Sequence, residues 1–328
     1  MEFLITDDEG HEIGVLDHCE IDIECGGSDD FELEFDVSDV HEYLTFNSRI
    51  FTLKDEFGGL IKKIKSDTSQ NTVTFSGPTW RGMLKKKIIE PPGGQDYRIV
   101  NGDITSILID LIDKEFGGLI RASKQMTGYI VRSFQFDRYV TLYDGLSKML
   151  NQAGYKLVIR YAQGERGASG HVQIAAEPIN DYSNRLEFSQ DYGLNFIAED
   201  DKGVVNHLIC LGKGELKDRI VYHLYLQQDG SIGQSKYYSG SDEIVEVYDS
   251  NNSEGQELID AGKEKFIDLI KAKKITANAD DLSIEADIGD IVGGRDFVTG
   301  FYTAQPIERK IYKRSDDEKI EYRLKGDE

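Results

Sequence analysis

Paired carboxylates are the residues of this chain with the plainest chemical potential, because glycoside cleavage needs two of them a few ångströms apart across a sugar. Asp29-Asp30, Glu199-Asp200-Asp201 and Asp280-Asp281 all stand in polar, turn-like segments. With 60 acidic residues in a chain of 328, such doublets arise without selection for chemistry. The six histidines, at positions 11, 18, 41, 171, 207 and 223, form no H-E-x-x-H or H-x-x-x-H pair. His207 and His223 lie in apolar runs and read as satisfied core residues. No serine sits in G-x-S-x-G, so a serine nucleophile has no local support. Gly212-Lys-Gly-Glu-Leu-Lys lacks the phosphate-loop spacing and reads as a strand-ending turn. Gly293-Gly294-Arg295-Asp296 reads as a tight turn rather than a recognition tip. The sequence therefore predicts no catalytic, cofactor-binding or metal-binding residues, and no enzyme.

Composition narrows the class further. The apolar fraction of 39% and aromatic fraction of 10% belong to a folded chain long enough for two or three cores. A formal charge of −22 disfavours phosphate backbones and anionic lipid surfaces as partners. The odd cysteine count and the lack of any C-x-x-C spacing, with Cys19 and Cys25 on one face of an alternating strand, argue against a disulfide framework and a cysteine zinc site. Nowhere do 18 apolar residues run together, so no membrane segment is expected. The only basic run, Lys85 to Lys87, reads as a solvated helix face.

The elements that hold these residues are mainly strands. Phe31, Leu33, Phe35 and Val37 alternate with carboxylates, which makes one face apolar and the other wet. Trp80, Leu84 and Ile88 recur at helical spacing before Pro91-Pro92. Asp103 caps a helix carrying Ile104, Ile107, Leu108, Leu111 and Ile112, closed at Gly117-Gly118, and Thr141 starts a second that ends at Gly154. Tyr155 to Tyr161 and His171 to Ala175 make a hairpin. A capping-box pattern at Ser253 opens a further helix over 254–273. Leu282 to Leu324 alternates between turns at Gly289, Gly293-Gly294 and Gly300, and its strand grammar matches that of residues 49–75. Ile64 to Val73 and Ile311 to Ile320 even share one separation. The expectation is a β-rich α+β chain with two similar β-barrel or sandwich domains. Its parts are a barrel-like domain over 1–92, an inserted α+β domain over 93–181, and a second barrel-like domain over 182–328.

The series from Asp287 to Gly300, the strand from Asn206 to Gly214 and the segment from Gly77 to Pro92 together resemble siphovirus and prophage tail proteins of the baseplate-hub type. These are similar in fold to contractile-phage hubs and the N-terminal regions of type VI spikes. The resemblance implies a structural virion protein, made in the bacterial host cytoplasm. Three copies would form a pseudo-sixfold ring between tail tube and tail tip, with the tube, distal tail, tip or tape-measure proteins as partners. A negative lumen would let DNA slide through. Hydrolase modules follow some hubs, whereas this chain stops at Glu328 just past its last strand, which leaves open whether it is a full-length hub or a portion. The alternatives are a cell-wall carbohydrate-binding or adhesin protein using Tyr237-Tyr238, and a glycoside or peptidoglycan hydrolase.

Overall fold

The computed structural model describes residues 1–40, 44–164, 168–183, 187–188, 194–200, 204–270, 273–280, 286–295, 300 and 302–325. Met1–Phe196 and Ala277–Asp327 form one compact unit and Ile197–Thr276 a second. The β-rich α+β class holds, although the sheets among the described residues stay open rather than closing into barrels.

In the first unit a long sheet takes its inner face from alternation. Ile21, Ile23 and Cys25 of strand Glu20–Cys25 and Phe31, Leu33 and Phe35 of strand Asp30–Asp36 are buried, while the intervening acids point outward. Val37 departs from the pattern: it leaves the strand in a 3₁₀ turn and is exposed. Against this inner face lies a four-stranded sheet made of Leu4–Thr6, Glu12–Val15, Arg49–Phe51 and Gly58–Leu60. Its side chains serve two cores. Phe3, Ile5 and Ile50 join the long sheet's core with Tyr312 and Phe57, whereas Leu4, Phe51 and Leu60 face a second core built around Trp80. Period-two alternation makes this small sheet the filling between two layers.

The second core belongs to an α+β lobe. Helix α1 (Trp80–Lys85) is capped by Thr79, whose hydroxyl accepts from Gly82 N, and it ends after six residues. Ile88, expected on the same helix, lies instead in a short strand paired with Thr141 and is exposed. Helix α2 (Ile104–Ile112) starts at Asp103 as predicted, but it ends at Asp113, four residues before Gly117. Helix α3 (Leu142–Gln152) starts at Thr141, and Gly154, at φ 75°, takes the left-handed position beyond its C-cap. Both longer helices bury their apolar stripe against strands Ile120–Ala122, His171–Pro178 and Tyr155–Ala162. Each fully buried leucine or isoleucine there, such as Leu146 or Ile159, contributes roughly 1.5–3 kcal/mol.

The second unit has its own small core. Strands Ile232–Gly233, Val221–Leu226, His207–Leu211 and Val245–Asp249 pair in that order. Helix α4 (Gly255–Ile270) covers one face, packing Leu258 and Phe266 on Leu208, Cys210 and Leu224.

Two expectations need correction. Gly293 and Gly294 do not form a turn. They lie within strand Ile291–Arg295, paired with Ala304 and Thr303, and a side chain at Gly293 would strike Tyr302 Oη and Ser183. Close backbone approach, not reversal, requires the glycine there. His223 is not a core residue, being exposed on the open face of its sheet, whereas His207 is buried.

Candidate functional site

The long sheet repeats itself. Four strands in chain order, Glu20–Cys25, Asp30–Asp36, Lys63–Asp67 and Thr72–Pro78, lie side by side as third, fourth, second, first. The next four, Leu194–Asp200, Lys273–Asp280, Tyr302–Arg314 and Glu318–Leu324, continue the sheet in the same order, third, fourth, second, first. Each third strand also has the same entry. Arg49–Phe51 pairs with Gly58–Leu60 just before Lys63–Asp67, and Ile291–Arg295 pairs with the first half of Tyr302–Arg314 before a bulge. The equal spacing of Ile64–Val73 and Ile311–Ile320 falls in the two equivalent hairpins, but the pairs are one residue out of step. Ile64 lies opposite Phe75 on the core side, whereas Ile311 lies opposite Glu24 and Glu321 on the outer side.

Where the halves meet, Glu20–Cys25 pairs antiparallel with Tyr302–Arg314, from Ile21 opposite Arg314 to Cys25 opposite Lys310. Lys313 stands 3.1 Å from Asp22 and Arg309 3.6 Å from Glu24 on the outer face. On the inner face Tyr312 packs on Phe3 and Phe57. A first strand can therefore accept a third strand from the neighbouring block. At the sheet's two ends one strand of each kind is left at the edge, Lys63–Asp67 at one end and Leu194–Asp200 at the other. Lys63–Asp67 is exposed along nearly its whole length, Ile64 included, and its lysines guard an edge that would otherwise invite stray pairing.

The outer face is a charged surface. Glu20 lies opposite Glu34 and Asp22 opposite Glu32, so like charges meet directly across neighbouring strands. Such pairs cost stability. Lys63 and Lys65 flank this acidic band on one side, and Arg309 and Lys313 on the other.

In the Asp29-Asp30 doublet the two side chains part. Asp29 is buried at φ 56°. Its carboxylate accepts from Gly26 N at 2.6 Å and pairs with Lys85, whereas Asp30 points outward. Lys85 is thus committed to a buried acid and stacks over Tyr143, and Lys87 lies over Phe116, so the basic run is more than a solvated face. Asp201 and Asp281 lie outside the described residues, as do His41 and Asp296. Tyr237 is half exposed, while Tyr238, edge-on to it at 5.0 Å, packs into the second unit's core, so only one of the pair presents its ring.

Three buried ion-pair groups escaped the sequence reading. Arg81 pairs with Glu56, both fully buried, and donates to Leu157 O. Burial works against the Arg81 charge, yet Glu56 beside it raises the guanidinium above its ordinary value. Lys156 reaches Asp290 at 2.5 Å and Asp287 at 3.3 Å, and Arg160 reaches Asp287 at 2.8 Å. Burial pushes the Asp287 carboxyl up, but Arg160, Lys310 and Lys156 outweigh it and hold it below the usual range. Lys310 pairs with Asp55. The one legible signal was a lone lysine in an apolar strand, Lys156 before Leu157-Val158-Ile159, since a buried ammonium needs a carboxylate. Lys156, Arg81, Lys85 and Lys325 line a cleft of about 480 Å³ with Tyr143 and Glu308, but the first three already hold acidic partners.

No family model matches the sequence, and no curated protein does. Solved structures do match in fold. The 43 kDa tail protein of prophage MuSo2 from Shewanella oneidensis aligns at TM-score 0.54 and 13% identity, over 98% of this chain and 97% of that one. Prophage tail protein gp18 from Listeria monocytogenes EGD-e aligns at TM-score 0.50 and 11% identity, over 100% and 96%. A chain of the phage P2 baseplate in its activated conformation aligns at TM-score 0.50 and 10% identity, over 100% and 99%. The chain therefore has a fold of the phage tail and baseplate type.

Proposed function

We propose that this protein is a structural, non-enzymatic component of a phage or prophage tail, acting as a hub between tail tube and tail tip. Three copies would close a ring. The repeated strand order carries this reading. Within one chain a first strand, Glu20–Cys25, accepts a third strand, Tyr302–Arg314, and the edges left without a neighbour among the described residues are again a first strand, Leu194–Asp200, and a third, Lys63–Asp67. Pairing these edges between copies repeats the intrachain joint, and three chains then give six equivalent blocks with no edge left over. A heterologous contact of this kind closes if the rotation per block is a sixth of a turn. The two similar β-units expected from the sequence are, in this reading, the two four-strand blocks.

The outer face would then line the channel. Its carboxylate band would repel phosphate, and of the cations that flank the band Arg309 and Lys313 are already engaged by Glu24 and Asp22, which would limit the counterion-releasing contacts that make DNA stick. Tube, distal tail, tip or tape-measure proteins would meet the ring at its rims, and the protein would reside in the virion after synthesis in the host cytoplasm.

Electron cryomicroscopy of assembled tails tests the proposal, because it does not require the isolated chain to assemble. The expected map shows three copies around the axis, with residues 63–67 of one beside residues 194–200 of the next. Any other copy number, or both edges facing solvent, overturns it.

A further inference from the structure

The open face of the second unit's sheet carries two histidines on neighbouring antiparallel strands. Tyr225 lies opposite His207 and His223 opposite Ile209, which sets the two imidazoles diagonally on one face. His207 Nε2 is 2.8 Å from His223 Nδ1, across 16 residues of sequence. His207 Nδ1 is 2.8 Å from Glu243 Oε1. A carboxylate only accepts, so Nδ1 carries the hydrogen, and in the neutral imidazole Nε2 presents its lone pair toward His223. Lys236 holds the other Glu243 oxygen at 2.5 Å. Its hydrogen bond, with that of His207, keeps the Glu243 carboxyl below the usual range. Tyr225 stacks on His207 with centroids 4.3 Å apart and fixes the ring plane. A carboxylate that orients one ring nitrogen so that the other faces outward as a ligand is the arrangement found behind metal-binding histidines.

We infer that His207 Nε2 and His223 Nδ1 form a two-nitrogen site for a divalent transition metal such as Zn²⁺, with the hydrogen now shared between them replaced by the ion. Two nitrogens each 2.0–2.1 Å from a tetrahedral ion stand roughly 3.3 Å apart. The rings must therefore separate by about 0.5 Å and their facing nitrogens must tilt toward a common point beside the N···N line, a change the exposed His223 can supply by rotation. His223 moves its N–H from Nδ1 to the solvent-facing Nε2, so no proton need leave. The described residues hold no group of three or more potential ligands, and water completes the coordination. Imidazole donors select zinc, copper or nickel over calcium and magnesium. This site lies wholly in the second unit and does not rest on the tail reading.

The test is a titration of the full chain, stripped with chelator, using Co²⁺ followed by its visible absorption and Zn²⁺ followed by calorimetry. About one equivalent should bind, with affinity falling at lower pH as protons compete for the nitrogens. His223→Gln, at an exposed position, should abolish the site. Glu243→Gln, which touches no metal, should weaken it by roughly 10–100-fold. His18→Gln should leave it unchanged. Failure of the wild type to bind, or the same isotherm for His223→Gln, overturns the assignment, and an unchanged Glu243→Gln reduces it to adventitious surface chelation.

Discussion

Lys310 Nζ sits 2.8 Å and 2.7 Å from the two carboxylate oxygens of Asp55, across 255 residues of sequence. The pair fastens the loop after strand Arg49–Phe51 to the strand at the centre of the long sheet. Its members are buried unequally, Lys310 at 1% side-chain exposure and Asp55 at 18%. Removing the acid strands a buried ammonium, whereas removing the lysine leaves a carboxylate that water can reach. Asp55→Ala should therefore cost about 3–5 kcal/mol and Lys310→Met distinctly less. Urea unfolding of the two variants decides it, and equal losses would contradict the asymmetry. Burial works to lower the Lys310 ammonium, but Asp55, Tyr322 and Glu56 outweigh it and leave it above its ordinary value. The pair's contribution is thus full below the ordinary lysine range and is lost as pH rises through the elevated value.

Asp103 does more than cap α2. Its Oδ1 accepts from Thr105 N at 2.8 Å and from the Thr127 hydroxyl at 3.1 Å, and its Oδ2 accepts from Gly128 N at 2.7 Å. Burial pushes its carboxyl up, yet these donors outweigh it and lower it below the usual range. Asp103→Ala should cost about 2 kcal/mol, the upper end for a cap, because the Gly128 N–H loses its acceptor as well. Asp103→Asn, which keeps one acceptor oxygen, should lose about half as much. A comparison of unfolding midpoints checks the order, and a loss of only a few tenths for Asp103→Ala would show that Gly128 is hydrated instead.

Asp287 gives a signature on the acid side. Its folded value is depressed, so its contribution is complete above the ordinary aspartate range and is lost as pH falls through the lowered value. Asp287→Asn should destabilise the chain by about 1.5–3 kcal/mol at neutral pH, since Arg160 and Lys156 lose a charged acceptor. The gap between wild type and variant should hold down to about pH 5 and then close. A gap that widened on acidification would place the stabilising charge elsewhere.

The sequence is most legible where one rule acts alone. The Asp103 and Thr141 caps and the alternation from Phe31 to Phe35 each depend on local chemistry, and each stands where expected. Ile88 misleads because helical spacing carries no information about where a helix stops. Lys87 N–H is already taken by Leu84 O, in the tight last turn, and the next residues pair with Val140 and Thr141 instead. Gly293 and Gly294 mislead because a glycine pair marks close approach as readily as reversal, and only the tertiary neighbour Tyr302 distinguishes them. The His207–His223 contact was illegible for a different reason. Motif spacings describe ligands on one helix or loop, whereas these meet across a strand register that only the folded sheet fixes.

Glu34→Lys separates stability from assembly. Glu34 lies opposite Glu20, where the side chains of two acids approach to about 5 Å at Cβ, and the same two strands add Asp22 and Glu32. Reversing one charge should stabilise the isolated chain by roughly 0.2–1 kcal/mol at low salt, an advantage that fades near 1 M salt, where screening acts within about 3 Å. The natural sequence forgoes that gain at both described acid pairs, Glu20–Glu34 and Asp22–Glu32. If this face lines the channel, each ring of three variant chains presents three added cations to passing DNA. Each would form a phosphate contact that must break for the strand to advance. Ejection from particles carrying Glu34→Lys should be slower, and the delay should shrink as salt is raised. Thermal melts at low and high salt measure the first effect, and DNA release from triggered particles the second. A variant that is more stable yet ejects at the wild-type rate at low salt would remove the outer face from the channel, leaving its paired carboxylates as an unfavourable surface without a transport role.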